Sequence, residues 1–211
     1  MRTDPGSSEL TFTEVARRRQ ITAAAIETVA ELGYGKASFA QIAKRAGLSS
    51  PGLISYHFAN KDELISQVVA EIYATGAEVI HPRTDGAETA GAQLRAYVAG
   101  SIAFYDSHRS HMRALMQILN GHPQARERWF DRPNSAELDG LTEVLTEGQR
   151  TGEFRDFPPR TVATIVRDLL SGALLRLLGT PDLDVQEYTR ELVALCQSAV
   201  HGGCAVEGNT A

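Results

Sequence analysis

Apolar residues recur along most of this chain at intervals of three and four, the period of an α-helix with one buried face. The first such stretch covers residues 13–32, where Ala16, Ile21, Ala24, Ala25, Thr28, Val29 and Leu32 form a stripe and Gly33 follows as a stop. Gly33-Tyr34-Gly35 then predicts a turn. Ser38 is placed to cap a short helix over 39–46 that Gly47 ends. Ser49 is placed to cap another near 51–58, where Pro51 is tolerated in a first turn. Asn60 predicts the cap of a long helix through residue 80, with Asp62 and Glu63 in its first turn, where the helix dipole favours acid.

The run HPRTDGA at 81–87 reads as a break. Further helices are predicted at about 88–107, 110–120, 135–151, 160–178 and 185–200, with a loop containing Pro123 and Pro133 that carries Trp129 and Phe130. Alternating β-branched runs are few. The expected fold class is therefore all-α, about nine helices, in a three-helix front module followed by a helical body. The expected division is a front domain at 11–60, a body at 61–201, and disordered tails at 1–10 and 202–211.

Composition changes this picture little. Among 211 residues, 43% are apolar and 22% charged, which describes a globular chain of one or two domains. No run approaches the ~20 apolar residues of a membrane helix, and MRTDPGSSEL lacks the apolar core of a signal peptide, so a cytoplasmic protein is expected. Cys196 and Cys204 read as free thiols, one pair being neither a disulfide framework nor a zinc cluster. Charge is more informative. The chain carries −5 overall, yet residues 11–61 hold seven basic residues against three acidic ones. A basic module on an acidic body suits local binding of a polyanion, and suits a solvated face equally.

Two short helices joined by a tight turn and braced by a long first helix make a helix-turn-helix, whose second short helix enters the DNA major groove. The segment AGLSSPGLISYHFANKDEL, from Ala46 to Leu64, fits that use. Leu48, Leu53, Ile54 and Phe58 are expected in the module's core, with Phe39, Ile42 and Ala43. Ser50, Pro51, Gly52, Ser55, Tyr56 and His57 are left at the surface. Glycine and serine permit close backbone approach, and hydroxyls bond base edges or phosphates.

The run TVAELGYGKASFAQIAKRAGLSSPGLISYHFANKDELI resembles the amino-terminal domain of TetR-family transcriptional regulators. The elements that carry the resemblance are the LGY turn, SFAQIAKRAG, the leucine-serine pair, YHF and KDEL. They cover about 45 residues at family spacing. The LSSPGLIS segment between Gly47 and Tyr56 is one residue longer than is common, which leaves the alignment of Ser49, Ser50 and Pro51 open. The resemblance implies phosphate contacts from Ser38, Tyr56, His57 and Lys61, groove contacts from Ser50, Pro51, Gly52 and Ser55, and backbone contacts from Gln41 and Lys44. It also implies a homodimeric repressor of a pseudo-palindromic operator, with double-stranded DNA and a small, partly apolar effector as partners. No cofactor is implied. The DNA-facing helix lacks Arg, Asn and Gln, so shape and water are expected to carry much of the specificity.

The body offers two candidate surfaces. Tyr97, Phe104, His108, Met112, Met116, Trp129 and Phe130 concentrate aromatic, Met and His residues near a bend, as ligand-pocket lining or as plain core. Leu170, Leu174, Leu177, Leu192, Leu195 and Ala199 on the last two helices are candidates for a dimer interface. A metal centre is not expected, because Glu78-Val-Ile-His81 is the sole ExxH and a di-iron bundle needs two. HExxH and GxSxG are absent. Two alternatives stay open: a helical-bundle enzyme using the His-rich middle, and a regulator without a small-molecule inducer.

Overall fold

A computed structural model describes the backbone of residues 11–201 and all their side chains except those of Phe130, Arg132, Pro133 and Asn134. The expected tails, and Cys204 with them, lie outside the described residues. Within these bounds the chain is all-α: nine helices and one π-helical turn, with no strand.

The front follows local chemistry closely. α1 (Phe12–Leu32) begins in a reciprocal capping box: Thr11 Oγ1 accepts from the Glu14 N–H at 3.3 Å, and Glu14 Oε2 accepts from the Thr11 N–H at 2.8 Å. Gly33 stops it at φ +82°, donating its N–H to the Val29 carbonyl. α2 (Phe39–Arg45) is capped by Ser38 and closes with Gly47 at φ +66°. The next N–H, of Leu48, reaches back to the Ala43 carbonyl at 2.9 Å, a Schellman closure. α3 (Gly52–His57) is only six residues long.

Two front expectations need correction. Ser49 does not cap α3; Pro51 occupies that position without a side-chain bond. Phe39, half-buried, packs against the core as expected, but Leu53 is 40% exposed. The reason is a tight turn ahead of α3, where Leu53 and Ile54 N–H groups reach back only three residues, to the Ser50 and Pro51 carbonyls.

α4 (Lys61–Asp85) is capped by Asn60, whose Oδ1 accepts from the Glu63 N–H at 2.9 Å. It runs through the expected break at 81–87. Pro82 lies in its last turns, where the missing N–H removes one bond near an end that frays anyway. Arg83 and Thr84 side chains then bond the Val79 and His81 carbonyls. α5 (Ala90–Ser107) and α6 (Arg109–Gly121) meet at a corner made by His108 alone, at φ −123° and ψ 47°. Instead of a long loop, a π-helical turn (Arg126–Phe130) runs straight into α7 (Asp131–Arg150). α8 (Pro159–Gly179) and α9 (Val185–His201) match expectation.

Two hydrophobic cores hold the helices. One joins α1–α4 to α6, from Ile21 through Ile54, Phe58 and Val68 to Ile118 and Trp129. The other joins α5, α7, α8 and α9 around Leu94, Ile102, Leu145, Leu170 and Cys196. The first core passes across residue 60, so the helix-turn-helix is seated on α4 and α6 rather than hung from a linker.

Candidate DNA-binding face and ligand cavity

α3 is positioned by Ile54 and Phe58, both fully buried. Fixing that side in the core turns Ser50, Pro51, Gly52, Ser55 and Tyr56 outward together, and Gln41 and Lys44 of α2 are exposed as well. Tyr56 is 74% exposed, an unusual outlay of aromatic surface, with its ring edge-on to His57 at 5.0 Å. Ser38 caps α2 through its oxygen. An N–H acceptor bond leaves the serine hydroxyl proton available as a donor.

Two cations in this region have structural partners. Arg18 donates to the His57 carbonyl, pairs with Glu63, and stacks 4.1 Å from the Phe58 ring centre, so it locks α1 to the end of α3. Lys61 Nζ donates to the Tyr34 carbonyl at 2.7 Å and lies 4.1 Å from that ring. Partial burial pushes its pKa down, against the opposing pull of Asp62. Two of the three ammonium donors remain after that bond.

Beneath the head, the α6–α7 corner grips the start of α4. Arg128 pairs with Asp62, His122 Nε2 lies 3.6 Å from the same carboxylate, and Trp129 Nε1 donates to Ser66 Oγ at 2.7 Å. Trp129 therefore does not belong to a pocket as expected; its indole packs edge-on to His122 on the head side. His108 is likewise displaced, because the helix breaks at that residue and its ring turns to Phe104 and His111. The side chain of Phe130 lies outside the described residues.

The body encloses a cavity of about 820 Å³ between α4, α5, α6, α7 and α8. Of the expected lining residues, Tyr97, Phe104, Met112 and Met116 reach it. Part of its wall is polar. There Arg167 pairs with Glu137, Tyr97 donates to Glu137 Oε1 at 2.8 Å, and Tyr73 and Tyr105 complete the wall. Burial raises the pKa of all three tyrosines, with Arg167 nearby partly opposing the rise. They stay protonated donors at neutral pH. Arg167 and Glu137 sit on helices distant in sequence, and no local spacing ties them together.

On the far side, Leu170, Leu174, Leu177 and Leu192 are buried in the chain's own core, which withdraws them from any partner face. Leu195 is 56% exposed, and Ala199 is exposed too. Ile165 and Leu175 of α8 are 51% and 58% exposed, and Leu175 also borders the cavity. The apolar stripe along α8 is wider than one face, so the sequence pattern alone does not separate its inner from its outer leucines.

Residues 21–68 match the family model described as bacterial regulatory proteins, tetR family, and every predicted DNA-facing residue lies within that segment. Residues 21–68 are a TetR-family amino-terminal domain. Over 86 residues it is 38% identical to HTH-type transcriptional regulator BetI 1 of Chromohalobacter salexigens, covering 40% of this chain and 42% of that protein. That alignment spans well under half of its TetR-family relative's length. A longer alignment, 28% identical over 176 residues, joins it to BetI of Cronobacter sakazakii, covering 78% and 82% of the two chains. The fold resembles that of the transcriptional regulator FadR from Bacillus subtilis in complex with stearoyl-CoA. The TM-score is 0.76 at 20% identity, covering 87% of this chain and 99% of that one.

Proposed function

We propose that this protein is a sequence-specific transcriptional regulator, a homodimeric repressor of a pseudo-palindromic operator that a small, partly apolar ligand releases. The observation that carries the reading is the outer side of α3. A six-residue helix anchored by Ile54 and Phe58 commits its hydroxyls, its glycine and an exposed tyrosine to solvent, where they serve no core. A short helix so presented suits insertion into a major groove, with Ser50, Pro51, Gly52 and Ser55 toward the bases. Ser38, Tyr56, His57 and Lys61 then meet phosphates, flanked by Gln41 and Lys44.

The partner face is the outer side of α8 and α9. Ile165, Leu175 and Leu195 are three of the six large apolar side chains exposed among the described residues, and a self-complementary pairing there buries them. The cavity is the effector site. A ligand that prefers a state in which the two heads are set wrongly for grooves about 34–36 Å apart lowers operator affinity by its differential binding. The similar FadR structure was determined with stearoyl-CoA, which supports a partly apolar effector here.

The test is selection from random-sequence duplexes. Enrichment of a two-fold palindrome is the expected result; an unbiased pool after repeated rounds contradicts it.

A further inference from the structure

The cavity is apolar along most of its wall, with Ile72, Leu94, Phe104, Met112, Leu115 and Leu141 among its lining. Asp85, Arg126, Glu137 and Arg167 are its charged lining residues, and Arg167 of α8 pairs with Glu137 of α7 across the wall. Tyr97 touches both partners, donating to Glu137 Oε1 at 2.8 Å and accepting from Arg167 Nη1 at 3.5 Å. An ion pair that stays partly exposed, as this one does at 21% and 31%, is a weak device for stability. It is a good device for exchange. A guanidinium binds any carboxylate in the same planar, two-bond manner. A guest carboxylate can therefore take Glu137's place on Arg167 with little electrostatic change at the cation. The displaced Glu137 is not stranded, since its side chain is already 31% exposed to solvent. Once Glu137 has left, the Tyr97 hydroxyl can donate to the guest in its place, and Tyr105 stands in the same wall. A neutral guest has no comparable means of opening the pair.

Resting on the ligand-responsive reading above, we infer that the effector is a monoanionic amphiphile, an apolar body ending in a carboxylate, and that its carboxylate displaces Glu137 from Arg167. The exchange removes one of the two ion pairs between α7 and α8 among the described residues, leaving Arg160 on Asp139. The π-helical turn that leads directly into α7 contributes Arg126 to the cavity wall and Arg128 and Trp129 to the grip on Asp62 and Ser66 of α4. Ligand chemistry is thereby joined to the helix that carries the head through a single continuous segment, residues 126–137. A cavity of this volume lies within the roughly 300–1,000 Å³ typical of small-molecule sites.

The experiment is calorimetric titration of the full chain, without DNA, by decanoate, decanol and decanoyl-CoA. Decanoate should bind about tenfold or more tighter than decanol, since a charge-assisted contact separates them. Arg167→Met should bring decanoate down to decanol's affinity and leave decanol unchanged. Glu137→Gln, which keeps the side chain's shape and removes the competing charge, should bind decanoate more tightly than the wild type; it serves also if Arg167→Met does not fold. Equal affinities for acid and alcohol, no binding of the acid, or binding of decanoyl-CoA in preference to the acid and indifferent to Arg167 would each overturn the inference. Because DNA is absent, these ratios stand apart from the regulator reading, which fails instead on operator selection.

Discussion

In the head, the helices close completely: Ile21, Ile42, Ile54 and Phe58 have no exposed surface, and the chemistry is left on the outside. In the body, longer helices of similar composition stop short of closing and leave about 820 Å³ between them. Dispersion contacts across that space are forgone, which a chain built only for stability has no reason to accept. The difference teaches where to look for function: on the surface of the closed region, and in the interior of the open one. Both are joined by α4, whose first turn is held by Arg128 and Trp129 and whose later turns line the cavity.

The largest expected effect comes from opening the closed region. Phe58→Ala should cost about 3–5 kcal/mol in urea unfolding, the usual range for emptying a packed aromatic site. It should also release Arg18, which stacks on that ring. A loss below about 1 kcal/mol breaks the contrast from the head side. One substitution made in both regions sharpens it further. Ala43→Leu adds volume to a packed core and should destabilise by about 1–3 kcal/mol. Ala77→Leu points added volume at the cavity wall and should stay within about 1 kcal/mol of the wild type, while weakening decanoate binding. Equal costs at the two sites would mean the body is as tightly filled as the head.

These sites also mark what was legible beforehand. The head's contacts span few residues, and each of its devices is local: the Ser38 cap, the Gly47 closure, the Asn60 cap. Sequence spacing carries such information directly, so the outward placing of Ser50, Pro51, Gly52, Ser55 and Tyr56 was legible. It failed there only at Leu53 and Ser49, at the three-residue turn that opens the six-residue α3. The body depends on which helices meet. His108 sits on an unbroken Phe104–Met112 face only if the helix is straight, and it is not. Trp129 was drawn to the pocket by composition, yet packs toward the head. Arg167 and Glu137 meet by tertiary packing, which periodicity does not encode. The outward leucines of α8 and α9 were similarly mixed with inward ones.

Smaller effects test the finer claims. Lys61→Ala should weaken binding about equally across duplexes and reduce the salt dependence by roughly one phosphate contact, consistent with the donors left after its bond to Tyr34. An unchanged slope assigns Lys61 to bracing the Tyr34 turn alone. The smallest expected effect concerns a flaw in the closed region. Thr22 Oγ1 is buried without a hydrogen-bond partner, so Thr22→Val should be neutral or stabilise by up to about 1 kcal/mol in thermal unfolding. A clear destabilisation would indicate that the hydroxyl is bonded to an internal water.

The central claim is that the outer side of α3 reads sequence. Its most direct test is the ratio of affinities for the selected palindrome and a scrambled duplex, at one salt concentration, in the wild type and in Ser50→Ala/Ser55→Ala. The wild type should prefer the palindrome by about 10³ or more, and the double variant, equally stable, should lose most of that preference while keeping its affinity for scrambled DNA. A wild-type ratio near one, or a ratio the two substitutions leave unchanged, would contradict the account.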